Sequence, residues 1–138
     1  NNNNCDTFFY IKIQEYNSKI FYFENNSLKY EQNFEFGSNI ILKDISKITS
    51  LKIDVIKNIL DKIVLTDEIS ENDLIEKEFF KNIDYIKIKK KLFYKIALAR
   101  IEELSELILF KNINFKHYNK VSKNVYLEIN KNSQFKCF

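Results

Sequence analysis

Leu28-Lys29-Tyr30-Glu31-Gln32-Asn33-Phe34-Glu35-Phe36 alternates its side chains with a period of two. Leu28, Tyr30, Gln32, Phe34 and Phe36 fall on one face, and Lys29, Glu31, Asn33 and Glu35 on the other. That is the pattern of a strand with one face buried. Two earlier runs, Phe8-Phe9-Tyr10-Ile11-Lys12-Ile13 and Lys19-Ile20-Phe21-Tyr22-Phe23-Glu24, are rich in β-branched and aromatic residues, which suit a pleated sheet. Asn17-Ser18 and Asn25-Asn26-Ser27 read as the turns between them. The spacing predicts a three-stranded antiparallel meander within 1–36.

Beyond Phe36 the period changes. Gly37 is the single glycine of the chain and lies where the third strand must end. A glycine there points to a positive φ or to a close backbone approach. Ser38 is placed to cap a helix carrying the stripe Ile40, Ile41, Asp44, Ile45 and Ile48. Ser50 is placed to cap a second, with Ile53, Ile56, Ile59, Leu60 and Ile63 on one side. Ser70 and Asp73 resemble a capping arrangement ahead of Leu74, Ile75, Phe79 and Phe80, so a short helix is expected there. From Tyr85 to Phe110 the longest helix is expected, since Leu92, Phe93, Ile96, Ala97, Ile101, Leu104, Leu107 and Ile108 recur at three and four. Val125-Tyr126-Leu127-Glu128-Ile129 reads as a last strand. Its weak alternation fits burial on both faces, and after a long helix it is expected to join the sheet in parallel by a right-handed crossover. The organisation expected is a single α/β domain over 1–138. Its parts are a meander (1–36), short helices (37–84), a long helix (85–110), and a connection with the last strand (111–138).

A chain of 138 residues suits one domain. Lysine and asparagine abundance reads as a compositional bias, which weakens any argument from lysine number. The 22 basic and 19 acidic residues are interspersed, giving a net charge of +3, so a nucleic-acid partner is not expected. Cys5 and Cys137 stand at opposite ends without a CxxC or metal-ligand spacing, which fits a reducing, cytoplasmic compartment. No run approaches the length of a membrane span, and Asn1–Asn4 has no signal-peptide pattern. His117 stands alone, and Ser18, Ser38 and Ser133 show no nucleophile elbow. A self-sufficient enzyme is not expected.

Four short runs carry a resemblance. Phe23-Glu24-Asn25-Asn26-Ser27-Leu28-Lys29-Tyr30 is similar to a hairpin of the form E-N-G-x-L-x-Y. Phe36-Gly37-Ser38-Asn39-Ile40-Ile41-Leu42-Lys43-Asp44-Ile45 is similar to G-G-x-x-I-T-x-D-I, with Ser38 and Leu42 departing from it. Ile53-Asp54-Val55-Ile56-Lys57 falls where A-E-x-x-K is expected, and Ala99-Arg100-Ile101-Glu102-Glu103-Leu104 is similar to A-R-x-E-E-I/L. In this order, from Tyr10 to Phe110, they resemble the C-terminal half of the bacterial cell-division protein FtsA. The resemblance implies an actin-like (RNase H-like) ATPase-superfamily subdomain: meander, helices and a further parallel strand. It implies an adaptor that binds the C-terminal tail of FtsZ on the cytoplasmic side of the membrane at the division site. Self-association into filaments is a secondary expectation. Membrane attachment in that family uses a C-terminal amphipathic helix, which the sequence up to Phe138 does not contain, so no direct membrane contact is expected and the chain reads as a fragment. A pilus-assembly actin homologue is the alternative within binding proteins, and a sugar-kinase or chaperone-type ATPase is the alternative among enzymes.

The family's cofactor is ATP, held by glycine-rich loops. Here the loop positions read Lys12-Ile13-Gln14-Glu15-Tyr16-Asn17-Ser18 and Glu128-Ile129-Asn130-Lys131-Asn132-Ser133, without glycine, so no cofactor is expected. By family position Asp54, Lys57 and Gly37 would touch nucleotide. Asp54 and Lys57 also read as an ordinary i,i+3 ion pair, and Gly37 as a turn requirement. Arg100, with Lys91, Lys95 and Glu103, is placed by the resemblance where an acidic, apolar tail would dock. The competing reading pairs Arg100 with Glu103 along the helix. Lys87, Lys89, Lys90, Lys91 and Lys95 read either as a solvated face or as a patch that steers an acidic partner.

Overall fold

Alternation builds the sheet. In the computed structural model, which describes residues 7–81, 83–112, 124–129 and 135, β1 (Phe8–Ile13) and β2 (Ser18–Glu24) pair antiparallel, with Phe9 opposite Tyr22 and Ile11 opposite Ile20. β3 (Ser27–Phe34) pairs antiparallel with β2, with an irregularity at Tyr22/Phe23. The β2–β3 turn is made by Asn25 and Asn26, at φ of 50° and 60°. Two consecutive left-handed residues match the twist of a tight hairpin, and asparagine tolerates that region better than most side chains. β4 (Val125–Ile129) lies parallel to β1, Phe9 opposite Val125 and Ile13 opposite Ile129, so the sheet order is β3-β2-β1-β4.

The chain divides into two compact units. The first takes its described residues from Asn1–Ser38 and Glu103–Ser133, the second from Asn39–Glu102 and Gln134–Phe138. The first unit's core is one face of the sheet. Phe9, Ile11 and Ile13 of β1 and Ile20 and Tyr22 of β2 are buried with Ile108 and Leu109, and Tyr30, Phe34, Phe36 and Ile129 pack at the margin. Each fully buried aliphatic or aromatic side chain stabilises by about 1.5–3 kcal/mol. The opposite face carries an aromatic ladder: Phe8 stacks on Phe23 at 4.9 Å, Tyr126 meets Phe8 edge-on at 5.4 Å, and Tyr10 stacks on Phe21 at 5.8 Å. Val125, Tyr126 and Leu127 are exposed. The expected two-sided burial of β4 is therefore corrected: it is an edge strand, and the weak alternation reflects position rather than depth.

In the second unit, α1 (Asn39–Thr49) buries Ile41, Leu42, Ile45 and Thr49, a stripe rotated from the one expected, and Ile48 is 58% exposed. Ser50 does not cap α2. It ends α1 at φ 61° and donates its N–H to Ser46 O at 2.8 Å. α2 (Ile53–Lys62) starts at Lys52, with no side-chain cap, and buries Ile56, Ile59 and Leu60. Ser70 closes a turn rather than starting a helix: Asp73 N–H bonds to Ser70 O at 3.2 Å, and Asn72 N–H to Ser70 Oγ at 3.3 Å. The only helical turn in that stretch, among the described residues, is a 3-10 turn at Lys77–Phe80, which buries Phe79 and Phe80.

α3 spans Lys90–Ser105, five residues short of the expected start. The residues before it are extended because Ile75 N–H bonds to Ile88 O and Lys90 N–H to Asp73 O, both at 2.8 Å. These bonds spend the backbone groups that a longer helix would need. α3 continues as a π turn at Glu106–Phe110. The wider turn changes the helical phase: Ile108 and Leu109 are buried, while Leu107, expected inside, is exposed.

Gly37 closes the first unit's sheet. Its φ is not positive; the requirement is space. A Cβ there would lie 2.3 Å from Gln14 O and 2.6 Å from the Glu15 carbonyl. Two hydrogen bonds fix this approach: Ser38 N–H to Gln14 O at 2.8 Å, and Ser18 Oγ–H to Phe36 O at 2.7 Å. Gly37→Ala is expected to destabilise the chain by about 1–3 kcal/mol through overpacking against backbone, read as a lower urea midpoint with an unchanged m-value.

Candidate functional site

The second unit holds a groove of about 530 Å³ lined by Ile48, Thr49, Glu71, Ile86–Lys89, Lys91, Leu92 and Lys95. Three local structures build most of it, and the turn at Ser70–Asp73 adds Glu71. The end of α1 contributes Ile48 and Thr49. Thr49 is fixed there by Oγ1–H to Ile45 O at 2.7 Å, and Ser46 Oγ–H to Leu51 O at 2.6 Å helps close the same helix end. The extended segment before α3 alternates, so Ile88 is buried while Ile86, Lys87 and Lys89 are exposed. The first turns of α3 place Lys91, Leu92 and Lys95 along the third side. The exposed apolar residues Ile48, Ile86 and Leu92 thus share one depression with Lys87, Lys89, Lys91 and Lys95.

Four lysines and one glutamate are the charged residues that line the groove. Lys95 Nζ meets Glu71 Oε1 at 3.1 Å. The Glu71 carboxyl is held below its usual range chiefly by the hydrogen bond from Lys95, which outweighs desolvation, while the charges of Lys95, Lys91 and Lys89 add lesser contributions. Lys91 donates to Asp67 O and lies over the Tyr94 ring, 5.3 Å from its centroid. Beside the groove, Lys90 pairs with Glu76, whose carboxyl is also lowered, chiefly by that hydrogen bond.

Arg100 stands apart from this rim. Its Nε and Nη2 donate to Asp44 Oδ2 and Oδ1 at 2.5 and 3.0 Å, and the two side chains are only 27% and 23% exposed. The guanidinium fork is thus closed on a carboxylate 56 residues away in sequence. Glu103 is exposed further along α3.

Of the residues singled out in sequence for partner binding, Lys91 and Lys95 line the groove, Arg100 is engaged with Asp44, and Glu103 is grouped with the first unit. Of those given by family position to nucleotide, Asp54 is exposed and lines a shallow pocket of about 210 Å³ with Val55, Asn58, Glu78, Phe79, Lys81 and Ile83. Lys57 is half-buried on the same helix, and Gly37 belongs to the first unit. In the first unit's hairpin loop, the Gln14 N–H bonds to Asn17 O at 2.9 Å and its carbonyl accepts from Ser38. His117, Cys5, Cys137 and the run Asn130–Ser133 lie outside the described residues. Sequence reasoning missed Ile48, Ile86, Leu92 and Glu71 as groove residues, and Asp44 as the partner of Arg100. No local signal links Glu71 to Lys95 or Asp44 to Arg100; both pairings are made by the tertiary fold.

No protein-family model matches the chain, and no curated protein matches it. Solved structures do. The ethanolamine utilization protein EutJ of Carboxydothermus hydrogenoformans aligns with a TM-score of 0.59 at 10% identity, over 90% of this chain and 36% of that one. MreB 5 of Spiroplasma citri bound to AMPPNP aligns with a TM-score of 0.59 at 12% identity, over 88% of this chain and 41% of that one. ParM of Bacillus thuringiensis with ATP aligns with a TM-score of 0.56 at 13% identity, over 97% of this chain and 44% of that one. The fold is actin-like. This actin-like chain spans less than half the length of each of these proteins, and at such identities the likeness concerns fold alone. No helix among the described residues is long and apolar enough to cross a membrane.

Two predictions follow from the geometry. Because their folded-state values are lowered, Glu71 and Glu76 contribute stability that is fully present above the ordinary carboxylate range and is lost as pH falls through those lowered values. Carboxyl-carbon NMR titration should show both titrating low, and Lys95→Ala should return Glu71 toward its ordinary value while leaving Glu76 in place. The second concerns nucleotide. With the Gln14 amide and carbonyl both engaged and no glycine in that loop, Mg-ATP is expected to leave the melting temperature unchanged. A concentration-dependent upward shift would establish binding.

Proposed function

We propose that this chain is the partner-docking part of an FtsA-like cell-division adaptor, and that the groove of the second unit receives a short acidic, apolar peptide of the FtsZ C-terminal tail type. The observation that carries the reading is the groove itself: four lysines around exposed Ile48, Ile86 and Leu92, with Glu71 as the one acidic side chain among its lining residues. Apolar side chains supply the buried contact and lysines supply charge complementarity, a combination suited to a peptide carrying both kinds of residue. The motif order seen in sequence and the actin-like fold support the same assignment. On this reading the protein works on the cytoplasmic side of the membrane at the division site and acts by binding rather than by chemistry.

Fluorescence anisotropy of a labelled FtsZ tail peptide tests it. Saturable binding is expected, weakening with added salt as exposed lysines are screened. The double variant Lys91→Glu, Lys95→Glu should weaken binding by about tenfold or more by placing like charges opposite the peptide. Replacing the peptide's acidic residues by their amides should have a comparable effect on the wild-type chain. A folded chain that ignores the peptide, or binds acidic and amidated forms alike, would remove the reading.

A further inference from the structure

Arg100 is the one arginine of the chain, and its chemistry would suit a ligand carboxylate. The geometry points to a different use. We infer that Arg100 is a positioning residue that, clamped on Asp44, sets the spacing of the two helices lining the groove and does not touch the docked peptide; this rests on the groove being a peptide site.

Three observations carry it. First, the clamp is bidentate. Nε and Nη2, one edge of the fork, are both spent on the two oxygens of Asp44, the arrangement in which arginine recognises a carboxylate most strongly. A peptide carboxylate would have to displace Asp44, which is tethered in place and so presented at a high effective concentration. Second, the pair is half-withdrawn from solvent, at 27 and 23% exposure. Removing either partner leaves a poorly solvated charge without its counter-ion, which destabilises the local arrangement. Third, the pair joins two helices that each line the groove, α1 through Ile48 and Thr49 and α3 through Lys91, Leu92 and Lys95. Asp44 lies four residues before Ile48 on α1, one helical turn along the same face. Arg100 lies on α3 beyond Lys91, Leu92 and Lys95. Holding Asp44 against Arg100 therefore fixes where Ile48 stands relative to Leu92. The groove's own cations are lysines, whose flexible ammonium groups meet a ligand without a set geometry, while the rigid fork serves where geometry must be held.

Asp44 then matters as much as Arg100, which a contact role for Arg100 does not require. The experiment measures peptide anisotropy for Asp44→Asn, Arg100→Gln and the double variant. It also measures the Ile48–Leu92 separation by spin-label distance spectroscopy, in chains carrying Ile48→Cys and Leu92→Cys with Cys5 and Cys137 changed to Ser. Each single variant is expected to weaken binding by about tenfold, with the double variant no weaker than the worse single, because the two side chains act as one unit. The distance distribution should broaden in both singles. Weakening by Arg100→Gln alone, with Asp44→Asn binding like wild type, would overturn the inference and make Arg100 a ligand contact. Unchanged distances in both singles would also overturn it. Should the unmodified chain bind no peptide, the groove reading fails while the distance measurement still decides the clamp. Where a single variant unfolds, as judged by circular dichroism, the swap Asp44→Arg with Arg100→Asp decides. Recovery of the wild-type distance supports the clamp, and a folded swap with an altered distance overturns it.

Discussion

Gly37 lies against the Gln14–Glu15 backbone with room for a hydrogen and nothing larger, and this contact governs how the chain leaves its sheet. A side chain at that position would push the end of β3 away from the β1–β2 loop. Ser38 N–H could then no longer reach Gln14 O, and the buried Ser18 hydroxyl would lose Phe36 O. Each of these groups costs free energy if left buried without a partner. The meander's inward face, from Phe9 to Tyr22, and the exit of the chain toward α1 are therefore parts of one constraint. The sequence contains a single glycine, and it stands at this point of backbone contact.

The meander was legible because everything that specifies it is local: period-two alternation, aromatic and β-branched runs, and asparagines at the two left-handed turn positions. The parallel pairing of β4 followed from element order. The buried stripes of α2 and α3 were largely legible, from Ile56, Ile59 and Leu60 to Phe93, Ile96, Ala97, Ile101, Leu104 and Ile108, whereas the phase of α1 was not. Isoleucine is so frequent between Asn39 and Ile63 that more than one stripe can be drawn through it, and tertiary packing selected Ile41, Leu42 and Ile45 over the stripe ending at Ile48. The start of α3 was misplaced because the competing interaction, Ile75 with Ile88, is not visible in a helical window. Of the groove, the sequence showed its lysines but not its apolar wall, since Ile48 and Leu92 were counted as core.

The division of labour among the cations follows from their chemistry. Arginine's planar fork loses little freedom per bond formed, which makes it effective in a fixed, half-buried pair. Two of the lysines around the groove already have partners, Lys95 with Glu71 and Lys91 with Asp67 O and the Tyr94 ring, but their flexible stems let them exchange those contacts for a ligand's. Glu71, an exposed carboxylate, is lowered chiefly by its hydrogen bond from Lys95, with the charges of Lys95, Lys91 and Lys89 adding to it. The charge of these lysines raises encounter rates with acidic segments and adds modestly to final affinity.

This separation bears on what the sequence resemblance reports. Gly37 is a backbone constraint, and Asp44 with Arg100 is a side-chain clamp between two helices. These three positions, drawn from two of the four motif-like runs, are explained by architecture without reference to any ligand. The groove residues that would meet a partner, Ile48, Ile86, Lys87, Lys89, Lys91, Leu92 and Lys95, all lie outside those runs. At these three positions the match speaks for the way the chain folds, so the chemistry of the groove is the more direct argument for the kind of partner. The fold is kept at 10 to 13% identity to its structural neighbours, as expected where burial pattern and backbone contacts specify a fold more than particular side chains do.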